Sequence, residues 1–183
     1  MRVLAFAASS SRHSINKALV RHAVARLKGE YLTDVEIEFL DLNDYEMPIY
    51  SIDREREGGI PEEGARFFEK IGAADGVLIA YAEHNGFYTA AFKNVFDWAS
   101  RIEMKVFQGK PQLVLSTSPG RGGGAHVLET AIASAPHFGA EIVASLSIPS
   151  FRDNFDLERG ELTDDALAER LGAALARFAR RLT

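Results

Sequence analysis

Residues 2–16 read Arg2-Val3-Leu4-Ala5-Phe6-Ala7-Ala8-Ser9-Ser10-Ser11-Arg12-His13-Ser14-Ile15-Asn16. An unbroken apolar run gives way to a polar turn of four hydroxyls, and an amphipathic pattern follows over Ile15–Leu27. That is one strand–loop–helix unit whose strand is covered on both faces. The same unit recurs along the chain. Strands are expected at Arg2–Ala8, Val35–Leu40, Gly76–Tyr81, Gln112–Ser116 and Glu141–Ile148. Helices are expected at Ile15–Leu27, Pro61–Ala73, Tyr88–Arg101, Ala125–Phe138 and Asp164–Arg181. Strict alternation of this kind predicts a parallel sheet with helices on both sides.

The strands differ in a way that orders them. The first, third and fourth are continuously apolar, as central strands are. The second (Val35-Glu36-Ile37-Glu38-Phe39) and the fifth (Ile142-Val143-Ala144-Ser145-Leu146-Ser147-Ile148) alternate or carry hydroxyls, which suits the sheet edges. Edges at two and five match a doubly wound, flavodoxin-like α/β sheet in the order 2-1-3-4-5, whose crevice opens between strands one and three; other orders with the same edges are compatible with this patterning. Chemistry is therefore expected in the loops at the carboxyl ends of the central strands.

The chain has 183 residues, 21 Lys+Arg against 26 Asp+Glu, a net charge of −5 and no cysteine. One domain over residues 1–183 is expected. Disulfides, thiolate metal sites and a cysteine nucleophile are excluded. The acidic balance argues against a nucleic-acid groove or an anionic membrane surface. No apolar run approaches the roughly 18 residues of a membrane span, and the apolar run after Arg2 is too short for a signal peptide. A cytoplasmic protein is the expectation.

The loop Ser9–Asn16 enters a helix at the end of a central strand, where free N–H groups and the helix dipole favour an anion. It lacks the glycine pair and lysine of a nucleoside-triphosphate loop, so a single phosphate monoester fits better. The competing reading is that Ser14 caps the helix and the other serines fill a turn. After the third strand comes Ala82-Glu83-His84-Asn85-Gly86-Phe87-Tyr88-Thr89. Gly86 permits a positive φ or close approach of a ligand. Glu83 and His84 are either a general acid/base pair or ordinary turn residues. After the fourth strand, Gly120-x-Gly122-x-x-Ala125 satisfies the dinucleotide fingerprint formally. It stands on the wrong strand, however, and the acid Glu141 begins a strand instead of ending one. Three consecutive glycines instead let a flat ring approach the backbone, with Thr117, Ser118 and Gly120 as contacts.

Two of these stretches resemble the NADPH-dependent FMN reductase family. Ala8-Ser9 and Ser14-Ile15-Asn16 match its phosphate loop. Ala82-Glu83-His84-Asn85-Gly86 with Phe92-Lys93-Asn94-Val95-Phe96-Asp97-Trp98 match its second signature, the more specific of the two. The similarity runs from Arg2 to about Phe138. Ala8 stands for the family's glycine, Ala82 for a proline and His84 for a tyrosine. The resemblance implies a flavodoxin-like fold, FMN as cofactor, NAD(P)H as co-substrate and ping-pong hydride transfer to a small-molecule acceptor such as a quinone, azo compound, free flavin or metal oxyanion. It implies phosphate contacts from Ser9, Ser14, Ile15 and Asn16, with Ser11 and His13 in reach. Glu83, His84, Asn85 and Gly86 would frame the ring together with Thr117, Ser118 and Gly120. It implies a homodimer or homotetramer, with the aromatic helix Phe87–Trp98 as candidate interface. No residue is expected to be a chemical catalyst, because the flavin carries the redox chemistry. The rival readings are a flavodoxin-type single-electron carrier and a flavin-free phosphate-binding domain.

Asp41–Gly59 reads as a long polar connection that covers a neighbouring site in an oligomer. Phe151–Glu161 reads as an ordinary loop, its carboxylates Asp153, Asp156 and Glu158 mixed with cations. His22, His126 and His137 lack metal-ligand spacing, no nucleophile elbow occurs, and no metal is expected.

Overall fold

A computed structural model describes all residues, 1–183. In chain order the elements are β1 (Arg2–Ala8), α1 (Ile15–Arg26), β2 (Glu36–Leu40), α2 (Ile52–Gly58), α3 (Glu62–Ala73), β3 (Gly76–Tyr81), β4 (Glu83–His84), β5 (Phe87–Tyr88) and α4 (Ala90–Ala99). Then follow β6 (Pro111–Thr117), α5 (Ala125–Ser134), β7 (Glu141–Ile148), α6 (Phe151–Asn154), β8 (Phe155–Asp156), β9 (Glu161–Leu162) and α7 (Asp165–Leu182).

The five long strands form one parallel sheet in the order β2-β1-β3-β6-β7. This is the order expected from the polar patterning of its edges. The side chains of β1 alternate between two cores. Val3, Ala5 and Ala7 pack with Leu78, Ala80, Leu113 and Leu115 under α1 and α7. Leu4, Phe6 and Ala8 pack with Val77, Ile79, Tyr81 and Val114 under α3, α4 and α5. Continuous apolar sequence is what a strand with a core on each face requires.

Three stretches depart from expectation. The connection 41–59 is partly helical: a 3-10 turn spans Leu42–Tyr45, and Ser51 accepts the Arg54 N–H at 3.2 Å to start α2, which ends at Gly59 with φ 74°. The charge run 53–57 is therefore the solvated face of a short helix. Its start and stop were legible as a serine cap and a glycine pair. Phe151–Glu161 is likewise not an open loop. Phe151 and Phe155 are buried and stack at 4.6 Å, and they anchor α6 and the hairpin β8–β9. Finally, α4 begins at Ala90 and not at Tyr88, because Phe87 and Tyr88 pair with His84 and Glu83. Its aromatics Phe92, Phe96 and Trp98 lie inside the molecule, so of the aromatic side chains of the expected interface helix Phe87, 45% exposed, is the most open to the surface. Aromatics at helical spacing buried a core here, not a subunit contact.

Candidate functional site

The register of the central strands brings three loops together. Ala8 pairs with Tyr81, and Tyr81 pairs with Ser116. The chain therefore leaves all three strands at one level, and the loops at 9–14, 82–89 and 118–124 start side by side.

In the first loop, the Ser9 hydroxyl is buried and accepts the Ser11 N–H at 3.2 Å. Ser14 precedes α1 but makes no side-chain cap hydrogen bond, so the bland capping reading does not account for its hydroxyl. The backbone N–H groups of Ser10, Arg12, His13, Ile15 and Asn16 donate to no protein acceptor. Five free donors clustered at a helix start form an anion cradle. Ser11 and His13 are exposed beside it. Asn16 is used differently from the expectation. At 2% exposure, its amide nitrogen donates to the Thr117 carbonyl and its oxygen accepts the Thr117 N–H, both at 3.1 Å. The side chain thus ties the first loop to the third, and its backbone N–H remains for an anion. The Thr117 side chain is spent too, donating to the Ile148 carbonyl at 2.8 Å.

The second loop is a hairpin. Asn85 and Gly86 turn it with φ of 53° and 77°, the type I′ geometry that an Asn-Gly pair favours. The Glu83 carboxylate accepts the Val127 N–H at 3.0 Å. Because α5 starts at Gly124, which has no capping side chain, Glu83 serves as its cap from across the site. Half of the acid/base pairing considered for Glu83 and His84 is thereby committed to structure. His84 and Asn85 are exposed at the tip. His126, which spacing arguments set aside, lies beside the turn: a Cβ on Gly86 would sit 3.9 Å from its Nδ1. Behind the hairpin, buried Thr89 donates to the Ala8 carbonyl at 2.9 Å and accepts the Phe92 N–H at 3.2 Å, joining the start of α4 to the end of β1.

The glycines of the third loop divide by role. Gly123 has φ 61°, a Cβ there would meet the Ile148 carbonyl carbon and the Pro149 nitrogen at 2.9 Å, and its carbonyl accepts from Ser116 and Ser147, each at 2.9 Å. It is a packing glycine. Gly120 and Gly122 face open space, and the half-buried Ser118 donates to the Gly120 carbonyl at 3.3 Å. The open backbone expected for a flat ring is thus at 120–122, not along the whole run. Beside the first loop a cavity of about 340 Å³ is lined by Ser10, Tyr45, Met47, Ile49, Ala91 and Asn94. A wider groove of about 540 Å³ at the β2 edge is lined by the ion-paired Glu38 and Lys70 with Asp41, Asp44 and Arg66; it lies away from the three loops.

An anion cradle at the end of β1, beside the Asn85-Gly86 turn and the open backbone at 120–122, lies at the switch point of a parallel α/β sheet, where such folds bind ligands. Residues 1–152 match the family described as NADPH-dependent FMN reductase. An NADPH:quinone oxidoreductase of Arabidopsis thaliana is 33% identical over 178 residues, covering 96% of this chain and 88% of that protein. An NAD(P)H-dependent FMN reductase of Pseudomonas aeruginosa is 32% identical over 173 residues, covering 92% and 88%. A solved flavoenzyme NAD(P)H:(acceptor) oxidoreductase from Paracoccus denitrificans has a TM-score of 0.75 at 25% identity, covering 99% of this chain and 96% of that one. The chain belongs to the NADPH-dependent FMN reductase family. It is an oxidoreductase of flavodoxin-like fold, with FMN as its flavin, NAD(P)H as its electron donor and a small molecule as its acceptor. No helix is long and apolar enough to cross a membrane.

Proposed function

We propose that the chain is an FMN-dependent NAD(P)H:quinone-type reductase working by ping-pong exchange at one flavin face. The observation that carries the reading is the set of five unpaired N–H groups in the first loop, side by side with the Asn85-Gly86 turn and the open backbone at Gly120 and Gly122. Ser9, Ser11, His13, Ser14, Ile15 and Asn16 hold the phosphate: His13, Ile15 and Asn16 through free backbone N–H groups, and Ser9, Ser11 and Ser14, whose N–H groups are engaged, through their hydroxyls. Glu83, His84, Asn85 and Gly86 border the ring on one side, and Thr117, Ser118 and Gly120 on the other. Glu83 acts there through backbone, because its side chain caps α5, and Thr117 acts by positioning, because its side chain and both its backbone groups are engaged within the protein. When bound, FMN supplies hydride acceptance from the nicotinamide and reduction of the second substrate. The protein binds, orients and leaves one face open. No aromatic side chain from the third loop covers that face, since Ser118–Gly124 contains none. Donor and acceptor can therefore use it in turn, whereas an electron carrier shields its ring.

The whole chain acts as one flavin-binding unit in the cytoplasm. It assembles as a homodimer or homotetramer, using exposed apolar residues of the 41–59 connection such as Ile49 and Ile52. The name of the Arabidopsis thaliana relative supports a quinone as acceptor. The test is to load the chain with FMN, remove free flavin and follow flavin absorbance anaerobically on adding NADPH or NADH. Rapid bleaching, followed by reoxidation with a benzoquinone and parallel double-reciprocal lines in steady state, is the expected result. Retained flavin that neither nicotinamide bleaches would instead indicate the electron carrier, and intersecting lines would exclude ping-pong exchange.

A further inference from the structure

A second cavity lies between α4 and α5, behind the second loop, whose Phe87 and Tyr88 form part of its wall. Its volume is about 210 Å³, and its walls include Phe92, Phe96, Phe107 and Phe138. At its lining is Gln112, near the start of β6, 1% exposed, with neither the amide oxygen nor the amide nitrogen hydrogen-bonded. Buried polar groups are nearly always paired, and one left with both ends free requires an explanation. Five residues separate Gln112 from Thr117 along the strand, which at about 3.3 Å per residue places it roughly 16 Å from the crevice.

None of the other polar side chains lining the cavity pairs with the Gln112 amide. Ser100, Thr130 and Ser134 donate to the carbonyls of Asp97, His126 and Ala131 at 2.8, 2.9 and 3.3 Å. An ordered water needs two to four polar partners, and a space of about 150 Å³ with apolar walls already accepts a benzene ring. The walls therefore call for one aromatic ring, while Gln112 calls for a donor and an acceptor side by side. We propose that this cavity is a binding site for a single-ring aromatic carboxamide, seated edge-to-edge in the aromatic cage with its amide paired to that of Gln112. An aromatic carboxylate is excluded by charge, because no cation lines the inner wall to offset its burial. Lys93 at the mouth is already paired with Asp97 at 2.7 Å. Tyr88 lines the cavity and also forms part of β5, so an occupant touches the hairpin that borders the flavin crevice.

The proposal does not depend on the flavin reading and is tested apart from it. Benzamide, benzoate and toluene are titrated into the FMN-loaded full chain by calorimetry and saturation-transfer NMR. Benzamide should saturate and benzoate should not. Gln112→Leu should weaken benzamide at least tenfold, leave toluene unchanged and raise Tm, because it removes an unpaired buried amide without emptying the space. Ala131→Leu, which fills the cavity from α5, should abolish both, with circular dichroism confirming that it is folded. Failure of benzamide to saturate the wild type overturns the proposal. So does benzamide binding that Gln112→Leu leaves intact.

Discussion

At the residue scale, the site depends on side chains whose work is to hold loops. Glu83 shows this most clearly. A carboxylate in a catalytic crevice suggests proton transfer, yet its oxygen takes the Val127 N–H and completes the start of α5. A cap needs an acceptor, not a titratable proton. Glu83→Gln should therefore keep the kcat for NADPH oxidation within a few-fold, whereas Glu83→Ala should lower stability by about 1 kcal/mol. Urea melts and steady-state rates on both variants check this, and a large loss of kcat in Glu83→Gln would restore the acid/base role. Asn16 was visible in the sequence as part of the phosphate loop. That its side chain bridges to Thr117 was not, since 101 residues separate the two.

At the element scale, the family signature on α4 has a mechanical meaning. Asn94 donates to the carbonyls of Met47 and Pro48 at 3.1 and 3.2 Å and accepts the Tyr50 N–H at 2.9 Å. Trp98 donates to the Pro48 carbonyl at 2.7 Å. One helix thereby fixes the connection after β2, whose residues line the cavity beside the first loop. Asn94→Ala removes three hydrogen bonds and leaves the half-buried Met47 carbonyl and Tyr50 N–H without this partner. It should cost about 1–3 kcal/mol and open residues 47–60 to limited proteolysis. Lys93→Ala, one position away, loses only an exposed ion pair with Asp97 and should cost under about 1 kcal/mol. Equal effects from the two would remove the clamp. The helix itself was legible from its periodicity; its start was not. Asn85-Gly86 is a strong hairpin signal, but it is flanked by only two paired residues on each side.

At the scale of the whole molecule, His22 couples stability to pH. It packs edge-on to Phe155 at 5.7 Å with its Nε2 unpartnered. Burial first, then the Arg26 charge, push its pKa below the ordinary 6.5, against the opposing pull of the Gly160 carbonyl, Glu161 and Glu30. The unfolded chain therefore takes up this proton at higher pH than the folded one. Stability is full above about 6.5 and declines as pH falls from there through the folded pKa. Glu30 and Glu141 are held low by Arg26 and Arg181. Asp41 is also held low: burial would raise it, but the Lys17 and Asn43 hydrogen bonds outweigh that. Their stabilisation is lost only as pH falls below the ordinary carboxylate values near 4. Thermal melts from pH 8 to 5 should show Tm falling in the wild type and a flatter profile in His22→Leu. An identical profile in both would assign the dependence elsewhere.

The sequence by itself determined the sheet. Unbroken apolar runs at Val3–Ala7, Val77–Ala80 and Leu113–Leu115 can be satisfied only by strands with a core on each face, and the polar alternation of 35–39 and 142–148 assigns those strands to the edges. It placed the loop with the free N–H groups as well, because a helix start at a strand end carries them wherever it occurs. Only the tertiary structure decided how those loops are used. Whether Glu83 is an acid or a cap depends on a helix 44 residues away. Whether a glycine yields to a ring or to a neighbouring strand depends on what its missing Cβ would strike, and whether the Gln112 amide finds a partner depends on which side chains fold around it. Periodicity and helix-end chemistry act within a few residues of one another. Hydrogen-bond partnership between segments is set where strand register brings them together, and only the folded chain contains that information.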